Sequence, residues 1–269
     1  MSDEEPKNID EYRQWLKKHG VEDIKREEAY YNTVTSRMAT DFRASDYWTK
    51  LIKRLPEYHD EYLLETGYPL FILREYQTTI VTKSFESFLL KTYRKNFLEN
   101  KDLPDEPQGG WVLPSNWYSK VNDVIRTLLE VKYLDGVEFL IGKIKYFCEG
   151  YNVDCKSILE AREEGYYAAH LYIKQSFEVP KVNWDTEKVI ISVELQITTQ
   201  LQEVIRKLLH KFYEEKRQRS KVKASEITKW QWNYKSDEFS AAYLGHILHY
   251  VEGMIMEIRD KQKQKELTR

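Results

Sequence analysis

The sequence predicts an α+β domain in which a short mixed β-sheet is flanked by N- and C-terminal helices. Three observations support this fold class. Apolar residues recur at helical spacing near the start of the chain, as at Tyr47, Leu51 and Leu55. Three central runs are rich in β-branched and aromatic residues, which are typical of strands. The last 30 or so residues carry a broad apolar helical stripe that includes Leu244 and Leu248.

The elements are expected in the following order. Apolar stripes predict helices from Ile9 to about Leu64, and a further helix over residues 70–98. Three prolines and the pair Gly109-Gly110 predict a loop over residues 100–119. The three strands are expected over residues 126–136, 165–177 and 188–199, with a helix over 137–150. Two further helices are expected over residues 200–218 and 239–264.

Composition excludes several classes of function. The net charge of −2 gives no global positive field, so we expect no DNA-binding role. The two cysteines, Cys148 and Cys155, form no CxxC pair and belong to no zinc-binding set. They favour a reducing cytoplasm. The acidic, polar start predicts no signal peptide, and no apolar run is long enough to predict a membrane span.

Two carboxylates stand out by their positions. Glu194 lies inside a β-branched strand, where it alternates with Gln196 and Thr198 on one face. Asp123 lies just before the first predicted strand. Carboxylates on neighbouring strands can hold Mg²⁺ or accept a proton, since Mg²⁺ prefers oxygen ligands. A solvated polar strand face explains the same pattern equally well.

A row of cations lies along the segment TKSFESFLLKTYRKN. Lys83, Lys91 and Arg94 are spaced so that they can share one face of a helix, with Ser87 between them. Such a row suits a polyphosphate. The alternative is an ordinary solvated helix face.

The stretch EEGYYAAHLYIK combines aromatic rings with small residues. Strand alternation places Tyr166, Ala168 and His170 on one face. This face has a ring, a methyl group and an imidazole, so it could form the floor of a pocket for a flat ligand. A core strand with a satisfied histidine is the alternative.

The order of five segments resembles the synthetase domain of the RelA/SpoT family. These segments are KSFESFLLKTYRK, NDVIRTLLEVKYLDG, GYYAAHL, VELQITT and RKLLHKFYE, and they cover about half of the chain. The resemblance implies a nucleotidyltransferase-like core. It divides the chain into an N-terminal helical extension (1–69), a synthetase core (70–217), and a basic linker with a C-terminal helix (218–269).

The resemblance implies an ATP-dependent pyrophosphokinase that moves the β,γ-diphosphate of ATP to a ribose 3′-hydroxyl. Glu194 and Asp123 would be the catalytic pair and would bind Mg²⁺. The residues expected to bind the ATP phosphates are Lys83, Ser87, Lys91, Arg94 and Arg126. The residues expected to bind the acceptor are Tyr166, which would stack on its base, and His170, Gln196 and His210.

The sequence departs from the family pattern at four arginine positions. Val81 stands where the family has an arginine before the lysine, and Arg126 lies two residues from the usual position. Tyr167 and Thr198 replace two further arginines. In the family the first two arginines hold the adenine of ATP, so Arg126 is the candidate for that role here.

The identity of the acceptor is left open by the sequence. A guanine nucleotide would make the product an alarmone, and an adenine nucleotide is a further alternative. The 3′ CCA end of tRNA would make the protein a translation-inhibiting toxin, with an antitoxin protein as a further partner. Nine Lys or Arg against three Glu between Arg206 and Lys229 could hold an acceptor stem. A catalytically weakened module that senses nucleotides or binds a protein is the non-enzymatic alternative.

The dipeptide His59-Asp60 resembles the metal site of family hydrolases. Only His19 accompanies His59 in the first hundred residues, so we expect no hydrolase site. We expect this dipeptide on an exposed helix face.

Overall fold

The computed structural model describes residues 5–73, 78–180, 185–208 and 230–267. It contains an α+β fold with a five-stranded mixed sheet and helices on either side of it in the chain, which confirms the predicted class. The strand order is β1-β2-β5-β4-β3. No helix in these ranges is long and apolar enough to cross a membrane.

The elements of the chain follow in order. Three helices come first: α1 (Ile9–Lys18), α2 (Ile24–Ala44) and α3 (Asp46–Thr66). Then come β1 (Ile80–Thr82), α4 (Phe85–Tyr93) with a π-helical turn (Arg94–Leu98), α5 (Trp117–Lys120), β2 (Ile125–Val131) and α6 (Leu134–Gly150). The remaining elements are β3 (Cys155–Ala161), β4 (Tyr167–Pro180), β5 (Thr186–Thr199), α7, which is described over 200–208, and α8 (Asp237–Leu267).

The predicted helix over residues 70–98 is wrong in its first half. Residues 80–82 form β1, which pairs antiparallel with β2 through Ile80 and Thr127, Val81 and Arg126, and Thr82 and Ile125. The helix starts only at Phe85, because Ser84 adopts an extended conformation and its hydroxyl caps the first turn. Strand β3 was also missed, since most of its residues are exposed and its apolar residues do not alternate.

By its internal contacts the chain divides into two compact units. Unit 1 comprises residues 1–48, 79–127 and 172–194, and unit 2 comprises 49–78, 128–171 and 195–269. The domain boundary predicted at 69/70 remains a prediction, and the one at 217/218 lies outside the described residues.

Unit 1 is built on an aromatic core that joins α1 and α2 to α4. The ring of Tyr31 packs on Phe88 with centroids 4.6 Å apart, and Phe88 packs on Trp117 at 5.0 Å. Buried Asn96 bonds both ways with the backbone of Val112, at 2.8 and 3.1 Å, and fixes the loop that follows α4. Helices α1 and α2 thus belong to the same compact unit as α4.

Unit 2 contains a hydrogen-bonded cluster of polar side chains that joins α3, α6 and α8. The Tyr62 hydroxyl donates to Asp135 at 2.6 Å, and Arg259 donates to Tyr62 at 2.9 Å and pairs with Asp135. His59 is also buried here, and its Nδ1 accepts from the N–H of Phe71 at 3.3 Å. The expectation that His59 lies on an exposed face was therefore wrong.

A glycine pair sets how closely α8 approaches the start of β4. Gly165 has a φ of +76°, and a Cβ built on it would lie 2.3 Å from the carbonyl oxygen of Ala242. A Cβ on Gly245 would lie 2.2 Å from the carbonyl oxygen of Gly165. Both the conformation and the contact therefore require glycine at position 165.

We expect Gly165→Ala to lower the free energy of unfolding by at least about 2 kcal/mol, because it combines a left-handed backbone with a backbone clash. Urea unfolding would measure it. Gly142→Ala is the matched control: Gly142 lies on the exposed side of α6 with no atom near its Cβ position. That change should raise stability by about 0.5–1 kcal/mol. Equal effects of the two changes would contradict the role of the close approach.

Candidate active site

The centre of the site in unit 1 is a carboxylate between two lysines. Lys83 Nζ donates to Asp123 Oδ2 at 2.8 Å, and Lys91 Nζ lies 2.9 Å from Oδ1. The side chains of Asp123 and Lys83 are 14% and 11% exposed, whereas Lys91 is 32% exposed. The arrangement is therefore a partly buried ionic triad with its open side at Lys91. We call these three residues the Asp123 triad.

The triad carries more positive than negative charge. Burial raises the pKa of Asp123, but the charges and hydrogen bonds of Lys83 and Lys91 outweigh it and lower this pKa to about 2. Burial lowers the pKa of Lys83, against the attraction of Asp123, and the charges of Lys91 and Arg126 lower it further. The carboxylate therefore stays ionised while the cations around it remain undercompensated. Such a site attracts a further anion.

Strand β1 and the start of α4 position the triad. The N–H of Lys83 donates to the carbonyl of Val124 at 2.9 Å, which extends the β1–β2 pairing beyond Thr82. The hydroxyl of Tyr31, on α2, donates to the carbonyl of Lys83 at 2.9 Å. Burial and then the charge of Asp123 raise the pKa of Tyr31, so this hydroxyl keeps its proton. Tyr31 is a supporting residue that sequence reasoning missed, because its helical spacing indicated only packing.

The other predicted phosphate-binding residues are placed differently. Ser87 lies in the first turn of α4, where its N–H and hydroxyl meet Ser84. Helix N-termini favour anions, so Ser87 is well placed for a phosphate. Arg94 instead pairs with Glu99 at 2.5 Å on an exposed part of the π-helical turn.

Lys95 takes a more central position than Arg94. Its Nζ donates to the carbonyl of Lys120 at 2.7 Å, and burial followed by the charge of Lys91 lowers its pKa. Lys95 belongs to the row of cations in TKSFESFLLKTYRKN, four residues after Lys91, although it was not predicted to bind phosphate. Lys95 therefore extends the row of cations that begins in the Asp123 triad.

Arg126 lies directly across the β1–β2 ladder from Val81. Residues paired in this way have Cβ atoms about 5 Å apart on the same face of the sheet. Val81 is the position at which the family pattern has an arginine. Val81 lacks the guanidinium group of the family pattern, and Arg126 supplies one on the neighbouring strand.

Glu194, the predicted base, is 4% exposed on β5. Thr198 on the same strand face is also buried, and its hydroxyl donates to the carbonyl of Tyr167 at 3.2 Å. A solvated polar face, the alternative reading of this strand, is therefore wrong. Carboxylates are rarely buried to this extent, and Glu194 remains the candidate base.

The acceptor candidates Tyr166 and His170 lie in unit 2 and contact each other. The Tyr166 hydroxyl lies 3.2 Å from His170 Nε2, which confirms that the two share a face. Glu160 on β3 lies 3.6 Å from the same nitrogen, and its other partner Arg162 lies 5.5 Å above the Tyr166 ring. The exposed surface of the ring is thus partly covered by a guanidinium group.

Gln196 lines a small pocket with Tyr166, and Arg206 closes one side of it. The cavity volume is about 10 Å³, barely enough for one water molecule. Arg206 bonds to Glu203 through both carboxylate oxygens, at 2.5 and 2.7 Å, and this hydrogen bonding raises its pKa despite burial. Arg206 was missed as a pocket residue, since the sequence showed it only as part of a basic stretch.

Helix α8 covers the residues that replace the two family arginines. The ring of Tyr167 stacks on His249 at 3.7 Å, and its hydroxyl lies 2.9 Å from His246 Nδ1. Tyr167 and Thr198 also line the pocket. Tyr167 is therefore engaged in packing against α8, and Thr198 is bonded to the backbone of Tyr167.

His210, predicted to bind the acceptor, lies outside the described residues, as does the basic stretch from residue 209 to 229. Their roles stay predictions.

Whether the site suits a divalent metal depends on the side-chain oxygens that it offers. Within the described residues, no group of three or more His, Cys, Asp or Glu side chains is arranged to hold a metal ion. Asp123 remains ionised; its Oδ2 accepts a hydrogen bond from Lys83, and its Oδ1 lies 2.9 Å from Lys91 Nζ. An ionised carboxylate suits Mg²⁺, which takes most of its ligands from phosphate and water. A structural metal held by side chains alone does not fit.

Two solved structures resemble the chain over most of its length. A GTP pyrophosphokinase family protein from Streptococcus pneumoniae matches with a TM-score of 0.52 and 14% identity, over 90% of this chain and 97% of that one. The small alarmone synthetase 1 from Bacillus subtilis, bound to its product pppGpp, matches with a TM-score of 0.51 and 15% identity, over 85% and 97%. The chain has the RelA/SpoT synthetase fold.

No protein-family model matches the sequence, and no curated protein matches it. The similarity to RelA/SpoT synthetases is thus seen in the structure, while the sequence identity is low. The residues of the candidate site must be judged by their own geometry.

We expect Asp123→Asn to lower the free energy of unfolding at pH 7 by about 2 kcal/mol, since it leaves Lys83 and Lys91 uncompensated. The depressed pKa stabilises the fold above about pH 4, and this contribution is lost as the pH falls towards 2. The difference between wild type and variant, from urea unfolding at each pH, should therefore shrink over that range.

Asp41→Asn is the matched control, because Asp41 is half exposed and pairs only loosely with Arg37, at 3.8 Å. It should change stability by at most about 0.5 kcal/mol. If the effect of Asp123→Asn were the same at pH 2 as at pH 4, the ionic triad would not be the source of that stability.

Proposed function

We propose that the protein is an ATP-dependent pyrophosphokinase that transfers the β,γ-diphosphate of ATP to a ribose 3′-hydroxyl. The observation that carries the proposal is the Asp123 triad beside the N-terminus of α4. A partly buried cluster with excess positive charge, next to the N-terminal end of a helix, is suited to a polyphosphate. The RelA/SpoT synthetase fold supports the same class of enzyme.

In this proposal the donor binds to unit 1. Lys83, Lys91 and Lys95 neutralise the phosphate oxygens, and Ser87 contributes at the start of α4. Arg126 stacks on the adenine in place of the arginine absent at Val81, since guanidinium planes stack on aromatic rings. Arg94, which pairs with Glu99, has at most a peripheral role.

The chemical step requires a base and a fixed donor. The acceptor 3′-oxygen attacks the β-phosphorus, the bond from that phosphorus to the α–β bridging oxygen breaks, and AMP leaves. Glu194 takes the hydroxyl proton as the general base. The lysines compensate the charge that builds up on the phosphate oxygens.

Asp123 and Glu194 would hold Mg²⁺, together with phosphate oxygens of the donor. When bound, the ion would neutralise phosphate charge and help to align the diphosphate. Asp123 stays charged for this purpose at neutral pH because its pKa is about 2.

We propose a guanine nucleotide as the acceptor. Tyr166 would stack on its base, Gln196 and His170 would hydrogen-bond to it or its ribose, and Arg206 would contact its phosphates. The Bacillus subtilis structure of the same fold is bound to pppGpp, which supports a nucleotide in this role. The small pocket must open first, by movement of Arg162 and Arg206.

The tRNA acceptor and the antitoxin partner depend on the basic stretch that lies mostly outside the described residues. The weakened binding module is disfavoured, because Asp123 is held between two lysines and Glu194 is buried. An assay that offers both acceptors separates these alternatives.

We expect the purified protein with Mg²⁺ and γ-labelled ATP to transfer label to GDP or GTP. Glu194→Gln should reduce transfer at least about 10³-fold while leaving thermal unfolding nearly unchanged, because it removes the base but keeps the shape. Glu187→Gln, on the exposed end of β5, is the control and should retain full activity. Label on deacylated tRNA alone would establish the toxin alternative, and no Glu194-dependent transfer to either acceptor would refute the proposed enzyme.

We expect Tyr166→Ala to raise the KM for the acceptor about tenfold or more, since base stacking contributes about 1–3 kcal/mol per base. The KM for ATP should change less than twofold. Initial rates measured with each substrate varied in turn would show this. Equal changes in both constants would rule out a specific stacking role for the ring.

A further inference from the structure

A buried carboxylate of helix α8 holds one wall of the small pocket in unit 2. Glu252 is 4% exposed, and it accepts hydrogen bonds from the hydroxyl of Thr199 and from Nε2 of Gln202, the latter at 3.0 Å. Gln202 lines the pocket. Sequence reasoning missed this contact, because 50 residues separate Gln202 from Glu252.

The first turn of α7 fixes the backbone of Gln202. Thr199 Oγ1 accepts a hydrogen bond from the N–H of Gln202 at 3.2 Å, as an N-cap residue does for the third residue of a helix. Gln202 is 6% exposed, so its side chain has little room to move. Its backbone and its amide group are therefore held together, by Thr199 and by Glu252.

The contact with Glu252 determines which end of the Gln202 amide points away from α8. A carboxylate only accepts hydrogen bonds, so the NH₂ group must point at Glu252 and the carbonyl oxygen Oε1 must point away from it. Among the residues that the structure describes, none donates a hydrogen bond to this Oε1. Gln202 therefore offers the pocket a hydrogen-bond acceptor and not a donor.

Gln202 also lies beside the residues proposed to bind the acceptor. It shares a face of α7 with Arg206, and both residues line the pocket with Tyr166. One helical turn, about 6 Å along the axis, separates Gln202 from Arg206. In the proposed function, on which this inference rests, Arg206 contacts the acceptor phosphates and Tyr166 stacks on the base. Gln202 is then placed to meet the edge of that base.

We propose that Gln202 selects guanine among the purines and that Glu252 is its positioning residue. Oε1 of Gln202 accepts a hydrogen bond from the 2-amino group of guanine, a donor that adenine and hypoxanthine lack. If the amide were turned round, Nε2 would face this amino group, and two donors would oppose each other. The direction of the hydrogen bond from Gln202 to Glu252 thus decides which base fits.

Equilibrium binding of GDP and IDP tests this selection, since the two nucleotides differ only in the 2-amino group. Isothermal titration calorimetry in the presence of Mg²⁺ would give both dissociation constants for each protein. We expect the wild type to bind GDP at least about tenfold more tightly than IDP, because IDP leaves the acceptor oxygen unpaired. Partial unfolding of a variant scales both constants equally, so their ratio is not changed by a loss of stability.

Two variants and two matched controls separate the acceptor oxygen from its orientation. Gln202→Met removes the oxygen and keeps the length of the side chain, so the ratio should fall to about one through weaker binding of GDP alone. Gln200→Met is its control, because Gln200 lies in the same helical turn and does not line the pocket. Glu252→Gln can donate as well as accept, which lets the Gln202 amide turn round, and the ratio should fall to about threefold or less. Glu257→Gln, on the same helix and 73% exposed, should keep the wild-type ratio.

Transfer of label from ATP, measured on the same proteins, distinguishes this selection from the proposed function. Loss of the GDP preference in Gln202→Met supports the selection of guanine, even if the wild type transfers no label. A GDP preference that persists in Gln202→Met overturns it, even if the wild type transfers label to GDP. Equal weakening of GDP and IDP in Gln202→Met and Glu252→Gln overturns it as well, since the pair would then serve only the structure. So does a wild type that binds GDP no better than IDP, or does not bind GDP.

Discussion

The interaction on which the site depends is the pairing of one buried carboxylate with two ammonium groups. Asp123 allows Lys83 to remain charged in a place where burial favours its neutral form. One carboxylate cannot neutralise Lys83, Lys91 and Lys95 together, so the cluster keeps an excess of positive charge. A bound polyphosphate would supply the missing negative charge. The same pairing thus stabilises the empty fold and leaves the site ready for its anion.

Two arginines lie at positions that differ from the family pattern. Each of them lies beside residues that stand where the family has an arginine. Arg126 faces Val81 across a strand pair. Arg206 lines the same small pocket as Tyr167 and Thr198, and it comes from the following helix. A motif is defined by order along the chain, whereas a ligand meets only the groups that surround it. A sequence can therefore lose the arginines of a motif and still present the same chemistry.

The sequence predicts the parts of this structure that repeat a local pattern. The periodicity of apolar residues alone predicts the strands around Thr127 and Glu194 and the helices on both flanks. Strand β1 was missed because three residues carry too little pattern, and Ser84 marks the helix start only when its cap is seen. Tyr31 and Arg206 could not be assigned either, since their roles depend on contacts with residues distant in sequence or on a pocket wall. Periodicity along the sequence does not show which distant residues contact each other.

In the small pocket lined by Tyr166 and Arg206, packing would compete with the proposed binding of an acceptor. Arg206 is held by both oxygens of Glu203, which is itself 1% exposed. The turn that leads into α7 is held by buried Glu252, which accepts hydrogen bonds from Thr199 and Gln202. Under the proposed function, a phosphate that recruits Arg206 would have to replace Glu203, and it can carry two formal charges where the carboxylate has one. The closed pocket would then discriminate by charge, because a neutral nucleoside offers Arg206 no such replacement.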